Sequence, residues 1–260
     1  MKFLTVLFAT GLLAMTGCAH AQADIPSGAD WYLHVDLERM RSESPGQPIY
    51  AWLRDEVFDD IREDANFDID REVNSLTAFS VAGAGPVVVV DGDFSQETKD
   101  IVMTFIAGGG DIQPLKSSGR QYYRVGNPGG DVEFERSDID GTIDSLEEGG
   151  YVSTAVDGKL LVTASEDQMK ALLASKGRIA GTRGNKNAIL VLTAEKTILR
   201  AGMNSAIIDA GDGDDWDSNI LRNTEQIAFL VAVMADKLAV EAQLVATEPA
   251  MAESLASIAR

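Results

Sequence analysis

Residues Leu76–Phe94 read LTAFSVAGAGPVVVVDGDF. Two apolar runs flank Gly83–Pro86, and this combination predicts a β-hairpin. Val87–Val90 is too apolar for a strand with one face in water, so we expect it near the centre of a sheet with both faces covered. A second strand–turn–strand pattern occurs at Gln226–Thr247 and turns at Ala235-Asp236. The recurrence predicts a diverged internal duplication.

The patterns around the first hairpin predict an α+β fold. Trp31–Leu37 alternates as a strand does, and residues 48–61 place apolar side chains on one face of a helix. Ser95 is in position to cap a helix over residues 96–107, and Gln121–Val125 has the composition of a further strand. The order strand, helix, strand, strand, helix, strand is that of a split βαβ, or ferredoxin-like, unit.

We expect two such related halves, with mainly antiparallel sheets and helices packed on one face. The first half covers residues 31–176 and contains an acidic insertion at 127–150 and a hairpin at 151–163. Residues 177–187 are basic and glycine-rich, as a linker would be, and the second, shorter half covers residues 188–260. Further predicted elements are a helix capped by Ser165, a strand at Ala188–Thr193, a helix at Ala194–Met203 and a final helix capped by Thr247.

The N-terminus has the features of an export signal. Residues 1–17 combine a basic start with an apolar stretch, and Met15–Cys18 resembles a bacterial lipobox that ends at the cysteine to be lipidated. Residues 18–30 would then be a tether, and Ala19 after the cysteine favours an outer-membrane lipoprotein facing the periplasm. The alternative is cleavage after Ala21 or Ala23, which gives a soluble periplasmic or secreted protein. On either interpretation the mature chain has no transmembrane helix.

The net charge limits the possible binding partners, and the cysteine count limits the possible disulfides. The 260 residues include 22 basic and 41 acidic side chains, a net charge of −19, so we expect no binding to nucleic acid. Cys18 is the only cysteine, so no disulfide can form within the chain.

The sequence lacks the residues that most catalytic mechanisms require. Of the two histidines, His20 lies in the tether, and His34 lies mid-strand, where a hydrogen bond to a neighbour is the expected role. No Gly-x-Ser-x-Gly elbow and no phosphate-binding Gly-x-x-x-x-Gly-Lys-Ser/Thr loop occurs. We therefore predict no catalytic residues, with a carboxylate-dependent hydrolase as an alternative in so acidic a chain.

One acidic stretch has features of a calcium-binding site. Asp138, Asp140, Asp144 and Glu147, with Gly141 between them, follow much of the spacing of an EF-hand calcium loop. Arg136 stands where that loop needs its first aspartate, which favours a solvated acidic loop over a calcium site within residues 131–147. Asp64–Asp70 is a second partial match without the turn glycine, and Asp209–Asp217 is a third acidic loop.

The chain resembles bacterial exported proteins of unknown function built from paired ferredoxin-like α+β halves. The resemblance rests on Trp31–Leu37, the Leu76–Phe94 hairpin, Asp157–Thr163 with its following helix, and Ala188–Thr193. It implies no substrate, cofactor or catalytic residue. We expect a non-catalytic lipoprotein of the cell envelope that binds or assembles with another protein, and the alternative is a calcium-responsive binding module.

Overall fold

The computed structural model describes residues 26, 28–59, 62, 68–81, 83–108, 112–126, 149–179, 187–196, 199 and 224–248, with the backbone alone at 105–108. The strands are β1 (Ala29–Asp36), β2 (Val73–Val81), β3 (Gly85–Gly92), β4 (Ile112–Ser117), β5 (Arg120–Gly126), β6 (Gly149–Ser153), β7 (Lys159–Thr163), β8 (Ala188–Glu195), β9 (Thr224–Met234) and β10 (Lys237–Ala246). The helices are α1 (Leu37–Ser42), α2 (Gln47–Leu53), which continues as a π-helical segment (Arg54–Phe58), α3 (Ile69–Glu72), α4 (Gln96–Gly108) and α5 (Glu166–Ser175).

The described strands form one antiparallel sheet in the order β10-β9-β8-β1-β2-β3-β7-β6-β5-β4. The predicted hairpin is β2 and β3, turning through Gly83, whose positive φ of 72° suits glycine. Its valine run lies at the centre of the sheet, between β2 and β7. This confirms the α+β class and the central position of the hairpin.

The central strands are covered on both faces. Side chains alternate along a strand. On β3, Val87 and Val89 pack with Tyr32 and α5 on the side that we call face B. Val88 and Val90 point the other way, to face A, where Val90 joins the cluster that contains α1 and α2.

The prediction that the helices pack on one face is wrong. Each face of the sheet is apolar at its centre, so each requires its own helical cover. Met40 of α1 and Tyr50 of α2 are buried with face A, whereas Met169 and Leu173 of α5 are buried with face B.

The predicted pair of ferredoxin-like halves is not confirmed. The described pairings are all antiparallel, and β1, β2 and β3 are direct neighbours, as are β8, β9 and β10. These two three-stranded units meet where β1 pairs with β8, with Leu33 opposite Leu192. Strands β4 to β7 extend the sheet beyond β3.

Two elements were not predicted. The α1 helix begins directly after β1 because the Asp36 carboxylate caps it, accepting a hydrogen bond from the Arg39 amide at 2.8 Å. The β4 strand contains Pro114, which argues against a strand in the middle of a sheet. It is tolerated because β4 is the last described strand of the sheet and has an unpaired side.

Candidate functional site

The predicted lipidation and calcium residues lie outside the described part of the chain. These are Cys18, Asp138, Asp140, Asp144 and Glu147. The acidic loop at Asp209–Asp217 also lies outside it. Among the described residues, no group of three or more His, Cys, Asp or Glu side chains is arranged to hold a metal ion.

Two carboxylates of the second partial calcium match have structural partners. Asp68 caps α3 by accepting a hydrogen bond from the Arg71 amide at 3.2 Å. The Tyr50 hydroxyl donates to Asp70. Arg41 lies 5.6 Å from the centre of the Tyr50 ring and donates to the Val73 carbonyl at 3.0 Å. The group joins α1, α2, α3 and β2, so we assign it to the fold.

His34 has the predicted role. Its Nδ1 lies 2.9 Å from the Thr77 hydroxyl, on the residue directly opposite in β2. The histidine therefore links β1 to β2.

A tyrosine, a carboxylate and a lysine meet at the first turn of α5. The Tyr122 hydroxyl donates to Glu166 Oε1 at 2.7 Å, and Lys170 Nζ lies 2.9 Å from the same oxygen. Burial, and then the hydrogen bond to Glu166, raise the pKa of Tyr122 to about 12. A phenol with such a pKa is poorly suited to exchange protons near neutral pH. The cluster fastens α5 to β5.

Glu72 is the one buried carboxylate side chain among the described residues. Its Oε2 accepts a hydrogen bond from the Ser95 amide at 3.0 Å. Burial alone would raise the pKa of Glu72, but hydrogen bonds from Thr98 and Ser95 outweigh it and lower the pKa. Glu72 therefore supports the start of α4, which Ser95 caps as predicted, its Oγ accepting from the Thr98 amide at 3.0 Å. A buried pair of carboxylates, which a hydrolase would use, does not occur in this part of the chain.

A groove of about 360 Å³ lies on face B between the β2–β3 hairpin and α5. Phe79, Val87 and Leu172 line it. Ile179 and Pro26, the first described residue, line it as well. The chain therefore enters the described fold at this groove. Since adjacent strands are about 4.8 Å apart, β2 lies about 19 Å from β10 across four strand spacings. The predicted tether thus joins the fold well away from β10, the last described strand on that side of the sheet.

The β10 edge exposes a stripe of apolar side chains. Leu238, Val240, Ala242 and Leu244 share face A and are all exposed. Val240 is 61% exposed, whereas Val231, directly opposite on β9, is 5% exposed. Among the described residues, the helical cover of face A therefore ends at β9. No described strand pairs with the outer side of β10.

The two edges of the described sheet differ in chemistry. β4 carries Pro114 and Lys116, both of which oppose the addition of another strand. β10 is ten residues long, has no proline, and carries only Lys237 and Glu241 as charged residues. Such an edge is a template for pairing with another chain. We define residues 237–246 as the β10 edge.

Sequence reasoning predicted the β10 strand but missed its significance. The signal was an alternating apolar run at Leu238, Val240, Ala242 and Leu244 with no proline. Identical alternation occurs in strands that lie inside a sheet, so the pairing order was needed to recognise an edge.

None of the described helices is both long and apolar enough to cross a membrane.

Comparisons with known proteins identify no family. No family model and no curated protein match the chain. Crystal form I of TP0453 is 12% identical, with a TM-score of 0.41, over 90% of this chain and 83% of that one. Crystal form IV of TP0453 is 11% identical, with a TM-score of 0.40, over 85% of this chain and 78% of that one. Similarity at this level supports no conclusion about function.

Proposed function

We propose that the protein is a non-catalytic lipoprotein of the cell envelope that binds another protein by strand addition along the β10 edge. The observation that carries the proposal is the exposed apolar stripe on an edge strand without proline. Main-chain hydrogen bonds supply affinity in strand addition, and alternate side chains supply specificity. The buried polar groups described above are all used in holding the fold together. Turnover of an envelope ester, glycan or peptide by the purified protein would contradict a non-catalytic role.

The surroundings of the β10 edge favour a protein partner. The whole chain has a net charge of −19, yet the edge contains one lysine and one glutamate and is locally neutral. A partner strand can therefore approach without facing a row of like charges. A locally neutral, apolar surface is typical of the buried centre of a protein interface.

Val240→Lys should reduce capture of the partner from envelope extracts by about tenfold or more. A lysine at this position interrupts the apolar stripe, and its charge would be desolvated in the interface. The captured protein would be quantified by mass spectrometry after pull-down with the tethered chain.

Gln243→Lys is the matched control, because it adds the same side chain to the same strand on face B. We expect it to retain most of the capture. Equal capture by both variants and the unaltered chain would exclude the apolar stripe of the β10 edge as the binding surface.

Lipidation requires Cys18, because that residue is the only thiol that can be acylated. Cys18→Ala should abolish labelling by a fatty-acid analogue and move the protein from the membrane fraction to the soluble fraction. The mass of the mature N-terminus distinguishes acylated Cys18 from a chain that starts at Gln22 or Asp24. Membrane fractionation that does not change in the variant would contradict the anchor.

A further inference from the structure

We propose that β10 pairs with β10 of a second copy of this chain, antiparallel and with Ala242 opposite Ala242. The inference rests on the proposed strand addition and specifies its partner. Two copies related by a twofold axis through this position would extend one sheet across both molecules. Most soluble homo-oligomers have such a closed, self-complementary interface.

The sequence of β10 is self-complementary in this register. A twofold axis perpendicular to the sheet keeps face A on the same side in both copies, so residues of the apolar stripe lie opposite one another. On face A, Val240 lies opposite Leu244, and Leu238 lies opposite Ala246. On face B, Ala239 lies opposite Val245 and Glu241 lies opposite Gln243. Cross-strand apolar pairs of this kind stabilise antiparallel sheets.

Charge and the length of the overlap favour this register over those centred on Glu241 and Ala239. With the axis at Glu241, each Glu241 would lie opposite its own copy, which is unfavourable. With the axis at Ala239, Lys237 would lie opposite Glu241. The part of β10 that pairs with the second copy would then be limited to residues 237–241. The axis at Ala242 avoids opposed like charges, and it engages the strand from Leu238 to Ala246 with its partner.

The location of the edge suits association on a membrane. The net charge of −19 makes two copies repel one another in solution, so we expect a concentration-dependent dimer. Anchoring both copies to one membrane raises their effective concentration and favours pairing. The predicted tether joins the fold at the groove on β2 and β3, which leaves β10 accessible.

Cysteine cross-linking of the full chain tests the register. In a Cys18→Ser background, held at high protein concentration because the anchor is absent, an introduced cysteine is the only thiol. Ala242→Cys should form a disulfide-linked dimer under mild oxidation, because directly opposite residues have Cβ atoms about 5 Å apart. Ala239→Cys is the control. Its two copies would be separated by about 20 Å along the strands, since each residue adds about 3.4 Å. Linking at 242 and not at 239 supports the proposal, and equal linking overturns it.

A mixing experiment gives the same test without a cysteine on the axis. Val240→Cys mixed with Leu244→Cys should form linked heterodimers, while each variant alone should link at least about tenfold less, because identical residues would be about 14 Å apart. Circular dichroism establishes that each variant is folded. Absence of linked heterodimers between folded variants overturns the proposal.

These outcomes are separate from those of the proposed function. If Val240→Lys abolishes capture of a different envelope protein and no β10 dimer forms, the inference fails and strand addition stands. If neither capture nor dimerisation depends on β10, both fail.

Discussion

Replacing Leu161 with alanine should lower the free energy of unfolding by about 2–5 kcal/mol, the range for a buried leucine truncated in a core. Leu161 lies in β7, is 0% exposed, and belongs to the face B cluster that includes Met169 and Leu173 of α5. Val89 lies directly opposite it on β3. The truncation would leave a cavity between the central strands and α5, bounded by a sheet that cannot collapse to fill it.

Leu244→Ala is the matched control for this experiment. It makes the same chemical change on a strand of the same sheet, where the side chain is 46% exposed. We expect a loss below about 1 kcal/mol, because little area is removed from water there in the monomer. Urea denaturation at low protein concentration measures both variants. A similar loss for the two leucines would show that the face B cluster is not the core of the fold.

Gly92→Ala should destabilise the protein by about 3 kcal/mol, near the upper part of the range for overpacking. A Cβ atom at Gly92 would lie 2.0 Å from the Glu72 carbonyl oxygen and 3.1 Å from its carbonyl carbon. These are backbone atoms, so the clash cannot be relieved by turning a side chain. The neighbouring Asp93 amide donates to that same Glu72 oxygen at 2.9 Å, which holds the two segments together.

Gly119→Ala separates the effect of the clash from the general cost of losing a glycine. Gly119 has a φ of 74° but no atom within 4 Å of an added Cβ. Its substitution should cost about 1–2 kcal/mol, the cost of a left-handed conformation for alanine. Thermal unfolding of both variants would compare them. A smaller loss for Gly92→Ala than for Gly119→Ala would mean that β3 can move away from Glu72 at little cost.

The hairpins were the most predictable part of the fold. Gly83 and Gly158 adopt positive φ values of 72° and 66°, and Ala235 reaches 59° at the second predicted turn. The sequence indicates such turns directly, because turn residues and alternating apolar runs are local signals. The predicted helix over residues 48–61 is found as α2 and its π-helical continuation, and residues 60 and 61 lie outside the described part of the chain.

Pairing between distant strands was not predictable. β3 pairs with β7 across a long stretch of chain, and β1 pairs with β8. Alternation along a strand specifies which residues share a face, but it does not identify the neighbouring strand. For the same reason, the helices were predicted on one face although the structure has them on both.

For the candidate site too, the sequence shows the pattern of residues, and only the structure shows where they lie. The alternation of Leu238, Val240, Ala242 and Leu244 is visible in the sequence, and so is the absence of proline from β10. Only the tertiary structure identifies these residues as an exposed stripe on an edge, because exposure depends on where the helical cover of face A ends. Cys18 and the acidic residues Asp138–Glu147 lie outside the described residues, so their predicted roles stay predictions.

The sequence by itself determined the α+β class, the turns of the hairpins and the central position of the valine run, since these follow from local conformational preference and apolar content. The tertiary structure decided the order of the strands, the cover on both faces and the identity of the two edges. These depend on contacts between residues far apart in the chain, and local sequence carries little information about such contacts. The hairpin of Leu76–Phe94 thus lies at the centre of the fold, while the surface proposed for binding lies at the sheet's edge, on the second hairpin.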